Sequence, residues 1–278
     1  MTKLKKINPL MLLIIFFAAV WFIIAAAPFY FMVISTFKQQ FEMMTSGVFT
    51  FPKGLYLNNF QAIIGPGFFR YLANSLTVAG VGLFLTLMIS AFAAYPFSRF
   101  TFKLNRPIYA IVVAAMAVPV HVTLIPIFIL TQKLRLYDTI WALVGPYVAF
   151  NLPISIFILT SFMAQIPKEL EEAAEIDGCG KIKTFFQVIL PLTKPGLATL
   201  AIYNGVNMWN EFSFALVLTQ SVTKRTLPLA VWEYQGQYSS NVPMIMTVLF
   251  LSAVPMIIAF IIGQDKLIKG MMAGAVKG

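Results

Sequence analysis

The chain has 278 residues, 59% of them hydrophobic and 11% charged, with a mean hydropathy of +0.83 and a formal net charge of +10. That balance excludes an ordinary water-soluble domain and belongs to a polytopic membrane protein, whose spans, read as helices below, make it all-α. The basic residues lie in short clusters between apolar stretches, which argues against a nucleic-acid surface, and the single Cys179 and single His121 supply neither an intramolecular disulfide nor a structural zinc site.

In chain order, Lys3, Lys5 and Lys6 precede an apolar run from Pro9 to about Ile34, too long for the core of a signal peptide and read as an uncleaved first transmembrane helix. Lys38 to Arg70 is a polar external segment punctuated by Pro52, Gly54, Gly65, Pro66 and Gly67. Residues 1–70 form an N-terminal helix plus external segment. Further spans run from Tyr71 to Phe97, Pro107 to Leu130, Thr139 to Met163, Leu192 to Leu218 and Val242 to Gly263, each long enough to cross about 30 Å of hydrocarbon. Residues 71–263 are the main transmembrane domain and 264–278 a tail. Pro28, Pro119, Pro126, Pro146, Pro153 and Pro255 fall inside spans and predict kinked helices lining a path, or simply a kinked scaffold. His121 is expected to be a satisfied histidine of the bundle.

Six crossings put both termini on one side. Lys and Arg in short loops favour the cytoplasm, and the excess lies with the N-terminus, the Arg99 to Arg106 loop, the 167–195 loop and the tail. The expected localisation is therefore a cytoplasmic membrane, multi-pass, with both termini and the 167–195 loop inside.

That loop, PKELEEAAEIDGCGKIKTFFQVILPLTKP, is the long charged segment of the chain. Pro167 suits the first turn of a helix, Glu169, Glu171 and Glu172 favour its positive end, and Leu170, Ala173, Ala174 and Asp177 fall on one face. Gly178 stands where a left-handed C-cap is expected, and Ile182, Phe185, Phe186 and Ile189 make the apolar face of a second helix before Pro191 and Pro195. The prediction is helix, glycine turn, helix.

Read as a motif, Glu172-Ala173-Ala174, Gly178, Val188 and Leu190-Pro191 resemble the EAA motif of binding-protein-dependent ABC importers, E-A-A-x3-G-x9-I-x-L-P, with Val188 in place of the commoner Ile. Asn204 to Phe214, NGVNMWNEFSF, and Gly270 to Gly278, GMMAGAVKG, resemble the W-N-E-F segment and the terminal G-L-T-x-G-x-V-K-G of the carbohydrate-type branch. The resemblance implies a type I ABC importer permease fold of six transmembrane helices with a cytoplasmic helix-turn-helix coupling loop, in a bacterial or archaeal membrane. It implies a sugar delivered by an extracytoplasmic solute-binding protein, a second permease subunit, and two ATPase subunits that bind ATP and Mg²⁺. Glu172, Ala173, Ala174, Asp177, Gly178, Leu190 and Pro191 would contact the ATPase. The chain itself lacks G-x-x-x-x-G-K-[ST], and no catalytic, metal or cofactor residues are expected in it.

Asn204, Asn207 and Glu211 follow at i, i+3, i+7 on the fifth span, and Asn151 lies beside Pro153. Polar side chains at that depth rarely face lipid; they serve either the translocation path or interhelical hydrogen bonds to the partner permease. An ion-coupled secondary transporter is the alternative function, though the intramembrane acids and paired broken helices it calls for are not visible in the sequence. An intramembrane enzyme would need a carboxylate pair, metal cluster or activated nucleophile within the spans, and none is visible either.

Overall fold

A computed structural model describes residues 9–234 and 241–275, with side chains over 10–234 and 241–264. Lys3, Lys5, Lys6, Val276 and Lys277 lie outside the described residues, as do the side chains of the tail. The described residues are helical and contain no strand: α1 Pro9–Thr36, α2 Gln40–Thr45, α3 Asn58–Ile63, α4 Pro66–Arg99, α5 Asn105–Ala114, α6 Leu124–Lys133, α7 Trp141–Ala164, α8 Glu169–Ile176, α9 Lys181–Thr184, α10 Leu190–Leu192, α11 Lys194–Trp209, α12 Ser213–Leu218 and α13 Val242–Ala275. Four helices, α1, α4, α7 and the first part of α13, are each long and apolar enough to cross a membrane; the number is six if two sharply bent helix pairs each make one span.

The chain divides into two compact units, residues 1–66 with 231–253 and residues 67–230 with 254–278. In the first, α1 is apolar all round and its Leu10 to Ile24 side chains are exposed, the signature of a helix solvated by lipid. Its last carbonyls cannot be left unsatisfied, and Asn59 Nδ2 takes two at once, donating to Thr36 O and Lys38 O at 2.9 Å each. The buried Lys38 donates to Thr50 Oγ1 at 3.2 Å, and the Lys53 N–H donates to Glu42 Oε1 at 2.9 Å. The predicted external segment is thus a folded lobe with two short helices, α2 and α3.

The second unit is built on α4. Its buried positions Val78, Gly82, Thr86, Ser90 and Ala94 recur every fourth residue, so one stripe of small side chains lets other helices approach closely. Their hydroxyls do not go unpaired: Thr86 Oγ1 donates to Gly82 O at 2.8 Å and Ser90 Oγ to Leu87 O at 3.1 Å. One buried cluster joins Val78 to Leu143, Tyr147, Met208, Phe214 and Leu218; a second joins Ala91, Ala94 and Tyr95 to Leu159, Met163, Phe185, Ile189 and Leu200.

Two expected spans are broken. The third, expected unbroken from Pro107 to Leu130, turns by 94° between Asn105–Ala117 and Val120–Lys133. The cause is local: Pro119 forces the preceding Val118 into extended backbone, φ −74° and ψ 117°, which no helix accepts. The fifth, expected from Leu192 to Leu218, ends α11 at Trp209 and restarts as α12 at Ser213, while the stretch Lys181–Leu192 meets α11 at 69°. The second begins earlier than expected, at Pro66, and α13 runs beyond Gly263 into the tail.

Candidate functional site

Two sites emerge, the 167–195 loop and a largely apolar cavity with a few polar groups in the second unit. In the loop, α8 places Glu169, Glu171 and Glu172 in its first turn, beside the positive end of its dipole. Gly178 follows at φ +79°, the left-handed conformation expected of it. The Cys179 N–H reaches back to Ala174 O at 2.9 Å and the Gly178 N–H to Glu175 O at 3.0 Å, the paired bonds of a Schellman cap. The chain then turns into α9, as the helix, glycine turn, helix pattern predicts.

The faces differ from expectation. Glu171 and Ala174 are the buried residues of α8, while Glu172, Ala173, Asp177 and Gly178 are exposed, so Leu170, Ala173, Ala174 and Asp177 do not share one environment. In the second arm Phe185 and Ile189 are buried, but Ile182, in α9 before them, is 76% exposed, and Phe185–Ile189 itself is wound as a π-turn. Leu190 is half-buried and Pro191 exposed.

Glu171 is buried because it has a partner. Its Oε1 lies 2.5 Å from Arg99 Nε at the end of α4, the side chains being only 11% and 4% exposed. The guanidinium is rotated so that this contact is a charge pair rather than an aligned hydrogen bond, and Arg99 Nη2 donates instead to Ile166 O, just past α7, at 2.7 Å. Tyr95 Oη donates to Glu171 Oε2 at 3.4 Å, and the Tyr95 ring packs on Phe185 at 5.0 Å between centroids. Across the exposed side of the loop Lys181 pairs with Glu175, whose hydrogen bond raises the ammonium pKa. Such an exposed pair contributes little to stability.

The cavity holds about 260 Å³ between the Ala115–Val120 break, α7 and the end of α11. Asn151, Asn207 and Glu211 all line it, with Tyr147, Phe150, Met208 and Phe214. Glu211 does not present a free carboxylate. Oε1 accepts the Phe214 N–H at 2.8 Å, and Oε2 accepts the Ala215 N–H at 3.2 Å and Tyr147 Oη–H at 3.0 Å, so the acid starts α12 and clamps it to α7. Asn151 Nδ2 donates to Tyr147 O at 2.7 Å within its own helix. Among the described residues the Asn207 side chain makes no hydrogen bond, which leaves its amide facing the cavity.

Asn204 is elsewhere. It is fully buried and donates from Nδ2 to Ser155 Oγ of α7 at 2.8 Å, an interhelical bond within this chain. His121, expected inside the bundle, is exposed on the short helical turn Val120–Thr123. Tyr147, Arg99 and Glu171 were not singled out from the sequence as site residues. The available signal was Arg99 alone closing a long uncharged span, and Glu171 with Ala174 at i, i+3.

Comparisons with known proteins give the family and the fold. Residues 86–271 match the family described as binding-protein-dependent transport system inner membrane component. The chain is 54% identical, over 90% of its length and 91% of the relative's, to the ORF2 protein of Caldicellulosiruptor sp. (strain Rt8B.4), whose name places it among ABC transporter permeases. It is 34% identical to the trehalose/maltose transport system permease protein MalG of Thermococcus litoralis, over 90% of this chain and 91% of MalG. Among solved structures, a chain of a bacterial ABC transporter involved in the import of alginate superposes with a TM-score of 0.79 over 91% of this chain and 95% of its own length, at 20% identity, a likeness of fold. The match over most of the second unit, with relatives aligned nearly end to end, establishes that this chain belongs to the inner membrane components of binding-protein-dependent transport systems.

Proposed function

We propose that the chain is the permease subunit of an ABC importer that moves a sugar or oligosaccharide across the cytoplasmic membrane, with ATP and Mg²⁺ bound by separate ATPase subunits. The observation that carries this reading is the 167–195 loop: a short acidic helix ended by a left-handed glycine, with Glu172, Ala173 and Asp177 exposed on one side and Glu171 anchored on the other. A loop that only connected two spans would need no buried ionic anchor. The sugar transporters among the relatives favour the substrate class, and family membership gives the ion-coupled alternative no support.

In this reading the 71–263 domain supplies half of the path and the loop is its cytoplasmic coupling element, oriented inward by the flanking basic residues. Glu172, Ala173, Ala174, Asp177, Gly178, Leu190 and Pro191 belong to the seat for the ATPase, with Ala174, Leu190 and Gly178 shaping it from behind. A second permease completes the bundle, and an extracytoplasmic solute-binding protein delivers the sugar. The cavity fits a neutral, hydroxyl-rich solute better than an ion: Glu211 is spoken for by three donors, and the other polar groups of the wall are the amides of Asn151 and Asn207 beside aromatic rings.

The test is uptake of labelled sugar into proteoliposomes containing this chain, its partner permease and the ATPase subunits, with binding protein outside and ATP inside. Uptake is expected to require all four proteins and ATP. Sugar accumulation by this chain alone, driven by a proton or sodium gradient, would overturn the reading.

A further inference from the structure

Arg99 sits at a junction of three elements. It ends α4, pairs with Glu171 of α8 at 2.5 Å, and donates to Ile166 O beyond α7 at 2.7 Å, while Tyr95, one helical turn back along α4, donates to the same glutamate. A buried ion pair is an expensive way to hold a loop, since two ions give up water for one another and a well-packed apolar contact would hold it as firmly. What Arg99 adds, with its charge beside Glu171 and its Nη2 hydrogen-bonded to Ile166 O, is one side chain that ties all three elements together.

The middle of α4 shows what that register can reach. About 25 Å up the helix, at ~1.5 Å per residue, Gly82 lies against the wall of the cavity. A Cβ built there would stand 3.3 Å from Met208 Sδ and 3.7 Å from Tyr147 Cβ, and both residues line the cavity. Tyr147 in turn holds Glu211. A closely packed helix cannot slide without pushing its neighbours, so a shift of α4 at the loop, carried past Pro96 near its end, is felt at the cavity wall.

Resting on the importer reading above, we infer that Arg99 is a positioning residue for coupling: it locks the loop helix α8 to α4 and to the end of α7, so that a displacement of α8 by the ATPases is carried along α4 to the Gly82, Tyr147 and Met208 wall. Glu171 and Glu172 then have separate tasks despite being neighbours. Glu171 faces inward and transmits; Glu172 faces out. Glu211 is the far joint of the same linkage, moving with Tyr147.

The experiment uses the complete importer in proteoliposomes and reads the ratio of sugar transported to ATP hydrolysed, together with the amount of ATPase bound. Arg99→Met removes both contacts and keeps the apolar stem; it should lower the ratio about tenfold with ATPase binding retained, the size of an ordinary coupling free energy. Arg99→Lys keeps the charge beside Glu171 and loses the fork to Ile166, and should fall by about threefold. A wild-type ratio in Arg99→Met would overturn the inference. If that variant fails to insert, Arg99→Lys and Glu171→Gln decide, and a wild-type ratio in both would overturn it equally. A wild-type complex with no ATP-dependent uptake would instead defeat the importer reading on which the inference stands.

Discussion

Two asparagines on one helix show how burial separates residues that the sequence leaves equivalent. Asn204 spends its amide on Ser155 and is fully buried, whereas Asn207 faces the cavity without a partner. Asn207→Leu should reduce sugar uptake roughly three- to tenfold, the loss of one hydrogen bond to a passing solute. Asn204→Leu should change thermal stability by only about 0.6 kcal/mol, typical of interhelical hydrogen bonds in membranes, and leave uptake near normal. The opposite pattern in a paired transport and unfolding assay would exchange their roles. Gly196 is a tighter constraint, because a Cβ there would meet Phe162 Cγ at 2.9 Å. Gly196→Ala should cost about 1–3 kcal/mol by overpacking α11 against α7, seen as a lower melting temperature of the purified complex. None of these differences is legible in the chain itself. Spacing at i, i+3 places Asn204 and Asn207 on one side of a helix, but which of them a neighbour covers depends on α7, some fifty residues earlier.

The loops between the helices carry their own electrostatics, and Asp138 is the clearest case. It adopts φ +58° between α6 and α7, and its carboxylate accepts the Ser221 hydroxyl and the N–H groups of Gln220 at 2.9 Å and Ser221 at 2.7 Å, tying this turn to the segment after α12. The Ser221 hydroxyl is the chief reason that its carboxyl titrates below the usual range, with the two N–H groups and Lys224 adding to it against the cost of burial. A depressed folded pKa gives stability that is present above the unfolded value of about 3.9 and is lost as pH falls through the folded value. Wild type should therefore be more stable than Asp138→Asn at neutral pH, with a gap in melting temperature that holds to about pH 5 and closes below about pH 4. A gap that widened on acidification would contradict the assignment. At this scale the sequence is a good guide where structure is local and a poor one where it is not. Gly178 and the acidic first turn of α8 follow from capping and dipole rules, so the helix, glycine turn, helix reading stands. The π-turn at Phe185–Ile189 escapes a 3.6-residue periodicity, and Pro119 announces a kink without announcing 94°.

For the whole molecule, composition alone identifies a polytopic membrane protein, and apolar run lengths locate its spans to within a few residues except where α5 with α6, and α11 with α12, are broken. What the chain could not disclose is its long-range wiring, Arg99 to Glu171 and Tyr147 to Glu211, since each pair brings together residues from different helices. The proposed orientation makes Cys179, the one cysteine, a reporter: a membrane-impermeant maleimide should label it in inverted vesicles stripped of ATPase and not in intact cells, and labelling from outside would reverse the topology. If the 167–195 loop passes ATP hydrolysis to the path, Gly178 is the residue at which that coupling is most open to test. No atom lies within 4 Å of a Cβ built there, so a substitution acts through the φ of +79° and not through a clash inside this chain. Valine disfavours that backbone by about 1–2 kcal/mol, whereas asparagine tolerates it. The decisive measurement is bound ATPase, ligand-stimulated ATP hydrolysis and sugar uptake in parallel for Gly178→Val and Gly178→Asn in the complete complex. Gly178→Val is expected to insert normally but to lose ATPase binding or coupled uptake, and Gly178→Asn to retain both better; near-normal values of all three for Gly178→Val would mean that the loop is a solvated connector and does not couple the ATPases to the path.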